Sequence, residues 1–428
     1  MLLAEPAKGC AEGRAGLAYE HGNDRLSMQI VVNGGGPSGL YFALLARKRL
    51  GARVTVYEQN PRGATYGFGI VLAERGLNRL LAADAESYRM LMDACYVSRH
   101  RVLALNGERI FIDGGGYGGA IARLRLLEIL EDCCERAGVE IRYETRMNGG
   151  EFDGADLIVG ADGVNSAVRR AQDEAFGTTT HVLTNKLAWY GTRAHFPYPI
   201  LSFRKTELGQ FWCVGYAYSE TMGTFVAECD AETWETSLSG MSDDERTSIA
   251  EGIFAEELDG KPLISNRSIW ASLPVIRVRN WNVENRVLIG DALHSAHPSI
   301  GSGTRIAMED SIALCSALED AGGDFARGLA LFREQREPAK NKLVAAAEAS
   351  IDWYEHIHTR IGGMTAPQLV FDYMMRTGRV GDERLREEYP YFMERYAREW
   401  AEFQQAPERW PRGAVPGERG DAVVSPMK

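Results

Sequence analysis

The sequence contains no apolar run that approaches the roughly 18 residues a membrane-spanning helix needs. It contains no C-x-x-C pair; its seven cysteines stand at positions 10, 95, 133, 134, 213, 229 and 315. That spacing suggests neither a zinc site nor a thioredoxin-type redox motif, and the odd number points to reduced thiols in a cytoplasm. Positive charge is not in excess: 48 Lys and Arg face 59 Asp and Glu, a net charge of −11. Nucleic acid is therefore disfavoured as a partner, while phosphate-bearing small molecules stay open. No internal repeat or low-complexity tract stands out. The first 27 residues mix charge and glycine without a long apolar stretch, so they do not read as a secretory signal. Met28 precedes the first apolar strand, and residues 1–27 are expected to be a disordered extension.

What is present is an ordinary globular composition, 45% apolar and 25% charged over 428 residues. That is enough for two to three domains and a large core. Gln29–Val32 is a β-branched apolar run, the glycine-rich stretch 34–39 follows, and Leu40–Leu50 reads as a helix. Arg53–Tyr57 then alternates as a second strand, which completes a βαβ unit. Leu124–Ala137 reads as a helix, with strands at Val139–Tyr143 and Leu157–Val159. Residues 186–230 change to aromatic-rich, period-two alternation. Phe211–Tyr218 and Thr224–Glu228 form an expected antiparallel hairpin around a Ser-Glu-Thr turn. Ser242 and Glu245 make a capping box. Arg286–Ile289 returns to a buried strand, a helix starts near Arg305, and residues 328–404 read as helical. Residues 405–428 read as a frayed tail.

A glycine loop between a strand and a helix lets backbone approach a pyrophosphate, with the helix N-terminus supplying free N–H groups. Gly34, Gly36 and Gly39 hold the G-x-G-x-x-G positions, with Pro37 and Ser38 inside the loop. Glu58 ends the second strand, where a carboxylate can accept from a ribose hydroxyl. Asn33 is a small departure from the usual apolar residue or glycine. A second formal match spans Gly114 to Gly119. Asp113 precedes it and would repel a pyrophosphate, so it reads as a flexible loop. Two further signatures follow buried strands: Asp162-Gly163, which by itself is a turn signal, and Gly290-Asp291. After the latter come His294, His297, Pro298 and Ile300, then Gly301-Ser302-Gly303-Thr304 opening a helix. Asp291 is placed to accept from a polyol, and that helix N-terminus to face an electron-rich ring edge. His294 and His297 have no nearby third ligand in sequence, so no metal is expected.

The three motifs, in this order over residues 30–310, resemble the FAD-dependent aromatic hydroxylases of the para-hydroxybenzoate hydroxylase type. Within that family the resemblance runs through Tyr66–Val71, Trp189–Thr192, Tyr216–Phe225 and His297–Thr304. It extends to hydroxylases of violacein synthesis, of aromatic CoA thioesters such as salicylyl-CoA and 2-aminobenzoyl-CoA, and of antibiotic tailoring such as piericidin synthesis. The resemblance implies an α/β fold: a Rossmann-like FAD-binding domain, an inserted, mainly antiparallel β substrate domain, and C-terminal helices. The expected division gives 28–75, 108–185 and 281–345 to the FAD-binding domain, 76–107 and 186–280 to the substrate domain, and 346–404 to the helices.

It also implies roles. Gly34, Gly36 and Gly39 would hold the FAD pyrophosphate and Glu58 the adenosine ribose. Arg123 would contact the ribityl-phosphate region, the alternative being a solvated first-turn arginine. Gly290 and Asp291 would bind the ribityl or pyrophosphate side. Gly301, Ser302, Gly303 and Thr304 would lie under the isoalloxazine, where negative charge develops on reduction. Asp162 would couple FAD and pyridine nucleotide binding, or serve only its turn. The implied chemistry is reduction of non-covalent FAD by NADH or NADPH, addition of O₂ to give a C4a-hydroperoxide, and oxygen transfer to an electron-rich aromatic or heteroaromatic ring.

The substrate pocket is expected between the hairpin sheet and the flavin, lined by Phe68, Tyr190, Trp212, Tyr216, His297 and Pro298. Tyr190, Tyr216, His297 and Pro298 are the candidates nearest the chemistry, and His297 is equally open to a structural role. A CoA thioester would need basic residues at the mouth, for which Arg193, Arg204, Lys205, Arg277 and Arg279 are candidates. Self-association is compatible with the sequence. A flavin halogenase is disfavoured because no Lys occurs between Lys48 and Lys186 and Trp-x-Trp is absent. A redox-inactive flavin-binding homologue is the non-enzymatic alternative.

Overall fold

The computed structural model describes residues 28–405, apart from 74–76, 115–117, 150–153, 296 and 302. The expected N-terminal extension, residues 406–428 of the tail, and Ser302 lie outside the described residues.

Short β-branched runs flanked by helices build a six-stranded sheet. Its order is Asn282–Val283, Arg286–Leu288, Leu157–Gly160, Gln29–Asn33, Arg53–Tyr57 and Glu140–Arg142. All neighbours run parallel except the hairpin at 282–288. The first strand lies between the strands that precede Glu58 and Asp162, so all three motifs gather at the carboxyl ends of neighbouring strands. Ligands bind at such a crevice in open α/β sheets. Helices Pro37–Leu45, Arg123–Ala137 and Gly303–Asp320 are packed together, the first in contact with both others.

The aromatic region forms a seven-stranded sheet, ordered Leu263–Ile264, Lys186–Thr192, Gly223–Cys229, Gly209–Ala217, Ile200–Thr206, Arg101–Leu105 and Glu108–Ile112. Neighbours are antiparallel except Ile200–Thr206 with Arg101–Leu105. Alternation splits the side chains between two faces. Ala188, Tyr190, Phe211, Cys213 and Phe225 pack with Phe254 and Leu258 in one core. The interior strand Gly223–Cys229 is buried throughout, as a strand covered on both faces must be. The second core joins the far part of this sheet to the C-terminal helices through Phe203, Trp212, Trp353, Phe371 and Trp400.

Two expected boundaries shift. Residues 108–112, assigned by sequence to the nucleotide-type domain, are an edge strand of the seven-stranded sheet. Leu77, Leu80 and Leu91, from helices assigned to the substrate domain, are buried in the nucleotide-type core. The second glycine run leads into the strand Gly118–Ala122, not directly into a helix, so it lacks the strand–loop–helix context of a phosphate site. The helix Phe325–Glu355 is 31 residues long. Its Leu329 and Phe332 belong to the nucleotide-type core and its Trp353 and Tyr354 to the second core, so one element ties the two sheets together.

Candidate active site

The glycine loop is shaped by close backbone approach. Gly34 has φ +111°, and a Cβ there or at Gly39 would collide with the carbonyl of Ala161 or of Gly34. Gly36, by contrast, faces open space. It is the N-cap of helix Pro37–Leu45, and no side chain caps that helix end. Free N–H groups and an unfilled approach are what an anionic ligand requires. Glu58 Oε2 accepts from Gly35 N at 2.8 Å, and Oε1 accepts from the backbone and side-chain nitrogens of Asn60. Oε2 keeps a further lone-pair direction, and Glu58 borders the cavity.

Asn33 proves to be a structural link. Its amide donates to Asp162 Oδ2 at 2.9 Å, and the same oxygen accepts from Ala167 N at 2.6 Å. Asp162 thus fastens the first strand to the start of the next helix. Its Oδ1 is buried without a partner. Arg123 is half-buried at the cavity wall and donates from Nε to Thr65 Oγ1 at 3.1 Å; desolvation lowers its pKa against the pull of Asp291 and Glu58.

Asp291 is exposed where it borders the cavity, and desolvation within the fold raises its pKa in spite of His294 and Arg123. Its turn is held from below. Gly290 N donates to Asp310 Oδ2 at 3.2 Å, His294 Nε2 shares that oxygen at 3.0 Å, and Arg336 Nε donates to Oδ1 at 2.8 Å. Arg336 also donates to Glu309, which pairs with Arg305. His294 is therefore engaged by a carboxylate. Among the described residues no group of His, Cys, Asp and Glu is arranged to hold a metal ion.

These residues border one cavity of about 1810 Å³. A drug-sized ligand site is about 300–1,000 Å³, so this space exceeds one small molecule. Its lining includes Gly34, Gly36, Glu58, Arg123, Asp162 and Asp291 from the glycine loop and motif turns, Trp189, Val214, Tyr216 and Glu228 from the aromatic sheet with Phe68 beside it, and His297, Pro298, Gly301, Gly303 and Thr304. Phe68 packs so closely on the backbone of Gly191 that a Cβ there would strike its ring. Tyr216 borders the cavity, but its hydroxyl donates to Gly69 O at 2.8 Å. It fixes the Phe68–Gly69 segment, and burial raises its pKa.

His297 accepts at Nδ1 from Ser299 N at 3.2 Å, which leaves the ring proton on Nε2. Burial, then Arg376, pushes its pKa down to about 4, so the ring is neutral at physiological pH. Arg376 locks the loop to the C-terminal helices through Ser299 O and Ser350 Oγ.

Two expected site residues are corrected. Tyr190 points away from the cavity: it is fully buried in the opposite core, bonded to Thr247 Oγ1 and Trp270 Nε1. Even and odd positions of its strand face opposite sides, so Trp189, not Tyr190, borders the cavity. Trp212 is on the cavity-side face but lies under it, packed against Phe203 and Tyr354. None of Arg193, Arg204, Lys205, Arg277 and Arg279 lines the cavity; Arg204 pairs with Glu256 and Glu257, and Arg277 with Glu348. Positive charge arrives instead from Arg99, Arg101, Arg379 and Arg384. Arg101 lies over the Tyr389 ring and Arg384 pairs with Glu388, so strand and C-terminal helices meet there. Glu228, Tyr354 and Arg376 were also missed. Glu228 had a signal, a lone acid on the inward phase of Gly223–Cys229. The helical residues had none, because nothing local tells which helix face meets a distant sheet.

Comparison with known proteins gives the family and the fold. The family described as FAD binding domain matches residues 135–347, and an NAD(P)-binding Rossmann-like domain matches residues 32–87. Salicyloyl-CoA 5-hydroxylase of a Streptomyces species is 35% identical over 369 residues, 82% of this chain and 70% of that protein. The 3-hydroxy-4-methyl-anthranilyl-(aryl-carrier protein) 5-monooxygenase of Streptosporangium sibiricum is 33% identical over 361 residues, 82% of this chain and 95% of its own. Among solved structures, 2-methyl-3-hydroxypyridine-5-carboxylic acid oxygenase superposes with a TM-score of 0.67 at 20% identity, covering 85% of this chain and 99% of that one, which is a likeness of fold.

Proposed function

The chain belongs to the FAD-dependent aromatic hydroxylases of the para-hydroxybenzoate hydroxylase type, and from that premise we propose how its own residues bind cofactor and substrate. The enzyme is an NAD(P)H- and FAD-dependent monooxygenase acting on an aromatic ring. The residues present fit FAD: an uncapped helix end beside an open Gly36, a half-buried cation at Arg123 and an unpaired carboxylate at Asp291. When bound, FAD supplies the reduction by NAD(P)H and the activation of O₂. Gly34–Gly39 and Arg123 take its phosphates, Glu58 and Asp291 its hydroxyls, and Gly301–Thr304 the flavin edge. Phe68, Trp189, Val214 and Tyr216 form the walls that orient the ring and exclude water. His297, neutral and carrying its proton on Nε2, donates a hydrogen bond without bringing charge to the ring.

The single observation that carries this reading is the continuity of the cavity from the glycine loop to the aromatic sheet. A specific observation favours a substrate presented as a CoA or carrier-protein thioester: Arg99, Arg101, Arg379 and Arg384 border the cavity, and Arg99 and Arg379 are exposed. Arginines at a mouth suit phosphates. The test is NAD(P)H consumption and product formation by FAD-loaded protein with matched aromatic acids and their CoA thioesters. Hydroxylation of the thioesters is expected. Protein that cannot be loaded with FAD, or that yields only peroxide with every ring offered, would overturn the reading. Equal turnover of the free acids would overturn only the thioester preference.

A further inference from the structure

Glu228 is a buried acid for which the fold has little use. It stands on the interior strand Gly223–Cys229, on the same face as Val226, and both border the cavity. Its cross-strand neighbours are Leu187 and Trp212, neither of which carries charge. The residue is 6% exposed. Asn185 Nδ2 donates to Oε1 at 3.5 Å and, more closely, to the carbonyl of Tyr354 at 3.0 Å.

The groups that act on Glu228 come from three elements: Trp212 on the adjacent strand, Asn185 before the strand on the other side, and Tyr354 and Glu355 at the end of the long helix. The charged one is another carboxylate, Glu355, which accepts from Thr184 and Asn185 backbone N–H groups. Burial first, and Glu355 second, push the Glu228 pKa up to about 8, while Trp212 and Asn185 act in the other direction. A buried carboxyl without a cation costs stability. A glutamine would answer the Asn185 amide equally well. An acid at this position therefore answers to what occupies the cavity.

We propose that Glu228 is the hydrogen-bond and proton acceptor for a hydroxyl or amino substituent on the aromatic substrate. The proposal rests on the aromatic-hydroxylase reading and names the ring chemistry that reading leaves open. In its ionised form Glu228 takes the proton of a ring hydroxyl. The O–H bond breaks, the proton moves to a Glu228 carboxylate oxygen, and the bonding pair stays on the ring oxygen, which makes the ring a better nucleophile. An amino substituent is held by the hydrogen bond alone. An acceptor with a pKa near the working pH is suited to such a transfer.

The experiment uses FAD-loaded enzyme and two probes that differ by one hydroxyl, salicyloyl-CoA and benzoyl-CoA, with binding read from the flavin absorbance. Wild type is expected to bind salicyloyl-CoA at least ~10-fold more tightly, since a site built for a hydroxyl penalises its absence. Glu228→Leu abolishes that preference. Glu228→Gln keeps the side chain's size and flattens the rise of salicyloyl-CoA affinity with pH through about 7–9. FAD content and circular dichroism report folding, and if Glu228→Leu does not fold, the Glu228→Gln pH profile decides. No preference in wild type, a preference retained in Glu228→Leu, or an unchanged pH profile in Glu228→Gln would each overturn the assignment. Hydroxylation by wild type is scored separately: its absence with every ring strikes the hydroxylase reading, whereas its persistence with an unchanged preference strikes Glu228 alone.

Discussion

Replacing Asp310 by alanine tests whether the Gly290–Asp291 turn is held from beneath. Asp310 has no solvent exposure, and its two oxygens serve three donors: Gly290 N, His294 and Arg336. Arg336 is itself only 3% exposed, so the substitution leaves a buried guanidinium with Glu309 as its remaining carboxylate partner. Breaking a buried pair by removing one member costs about 3–5 kcal/mol. An orphaned backbone N–H adds about 1–3 kcal/mol where water cannot reach it. Part of this is relieved by Glu309, so a loss of about 3–5 kcal/mol is expected overall.

The same contacts set the pH dependence. Burial alone would raise the Asp310 pKa, but His294 and Arg336 outweigh it and hold it well below the usual carboxylate range. A folded-state pKa below the unfolded one means this stability is fully present above the unfolded pKa near 4 and is lost as pH falls through the folded value. Denaturant unfolding of apo and FAD-loaded protein at several pH values measures both effects. Asp310→Asn, which keeps an acceptor but not the charge, should fall between wild type and Asp310→Ala. An Asp310→Ala protein within about 1 kcal/mol of wild type and retaining its full FAD would refute the account.

Other substitutions separate the parts of the site. Asp291→Ala should lose most bound FAD while its circular dichroism stays that of wild type; full flavin retention would refute the role given to that carboxylate. Gly34→Ala places a Cβ against Ala161 at a positive φ and should cost more than about 1 kcal/mol in thermal or denaturant unfolding, together with FAD binding. Tyr190→Phe removes two hydrogen bonds in the far core, about 1 kcal/mol each. Its kcat should stay close to wild type, and a large loss of turnover at normal stability would place Tyr190 back in the chemistry. Arg384→Ala should raise KM for a CoA thioester more than for the matching free acid, and added salt should shrink the difference; equal effects on both would remove the arginine mouth from substrate binding.

The local signatures were legible in sequence because each is dictated by its own few residues. The strand, glycine loop and helix at 29–45, the capping box at Ser242 and Glu245, and the antiparallel pairing of 209–217 with 223–229 all appear as expected. Errors arose where position depends on contacts between distant segments. The face of a strand that meets a cavity is decided by what packs on the other side, and helix Asp243–Ile253 with Phe254 claims the face bearing Tyr190. Likewise, Glu108–Ile112 joins the wide sheet because it pairs with Arg101–Leu105, whereas sequence order alone suggested a domain change at 108. The arginines were misassigned for the same reason: Arg204 and Arg277 are paired across the surface, and those at the cavity come from two segments remote in sequence, Arg99 and Arg101 before the hairpin and Arg379 and Arg384 after it.

On the proposed site, that long reach joins the residues assigned to the substrate to those assigned to the cofactor. Arg336 and Tyr354 stand on one helix, Phe325–Glu355, five turns apart at about 3.6 residues per turn. The first supports Asp310 and, through it, the Asp291 turn; the second packs on His297 and Trp212, beside Glu228. Arg376 then joins this helix at Ser350 to the His297–Ile300 loop at Ser299. A shift of the helix along its axis would therefore displace the flavin turn and the ring wall together. Interactions at Asp310 and at Arg376 should couple, although neither residue touches the other's partners directly. A double-mutant cycle of Asp310→Asn and Arg376→Lys on FAD affinity is expected to be non-additive by about 0.5–3 kcal/mol. Strict additivity would mean that the two ends of the helix are independent.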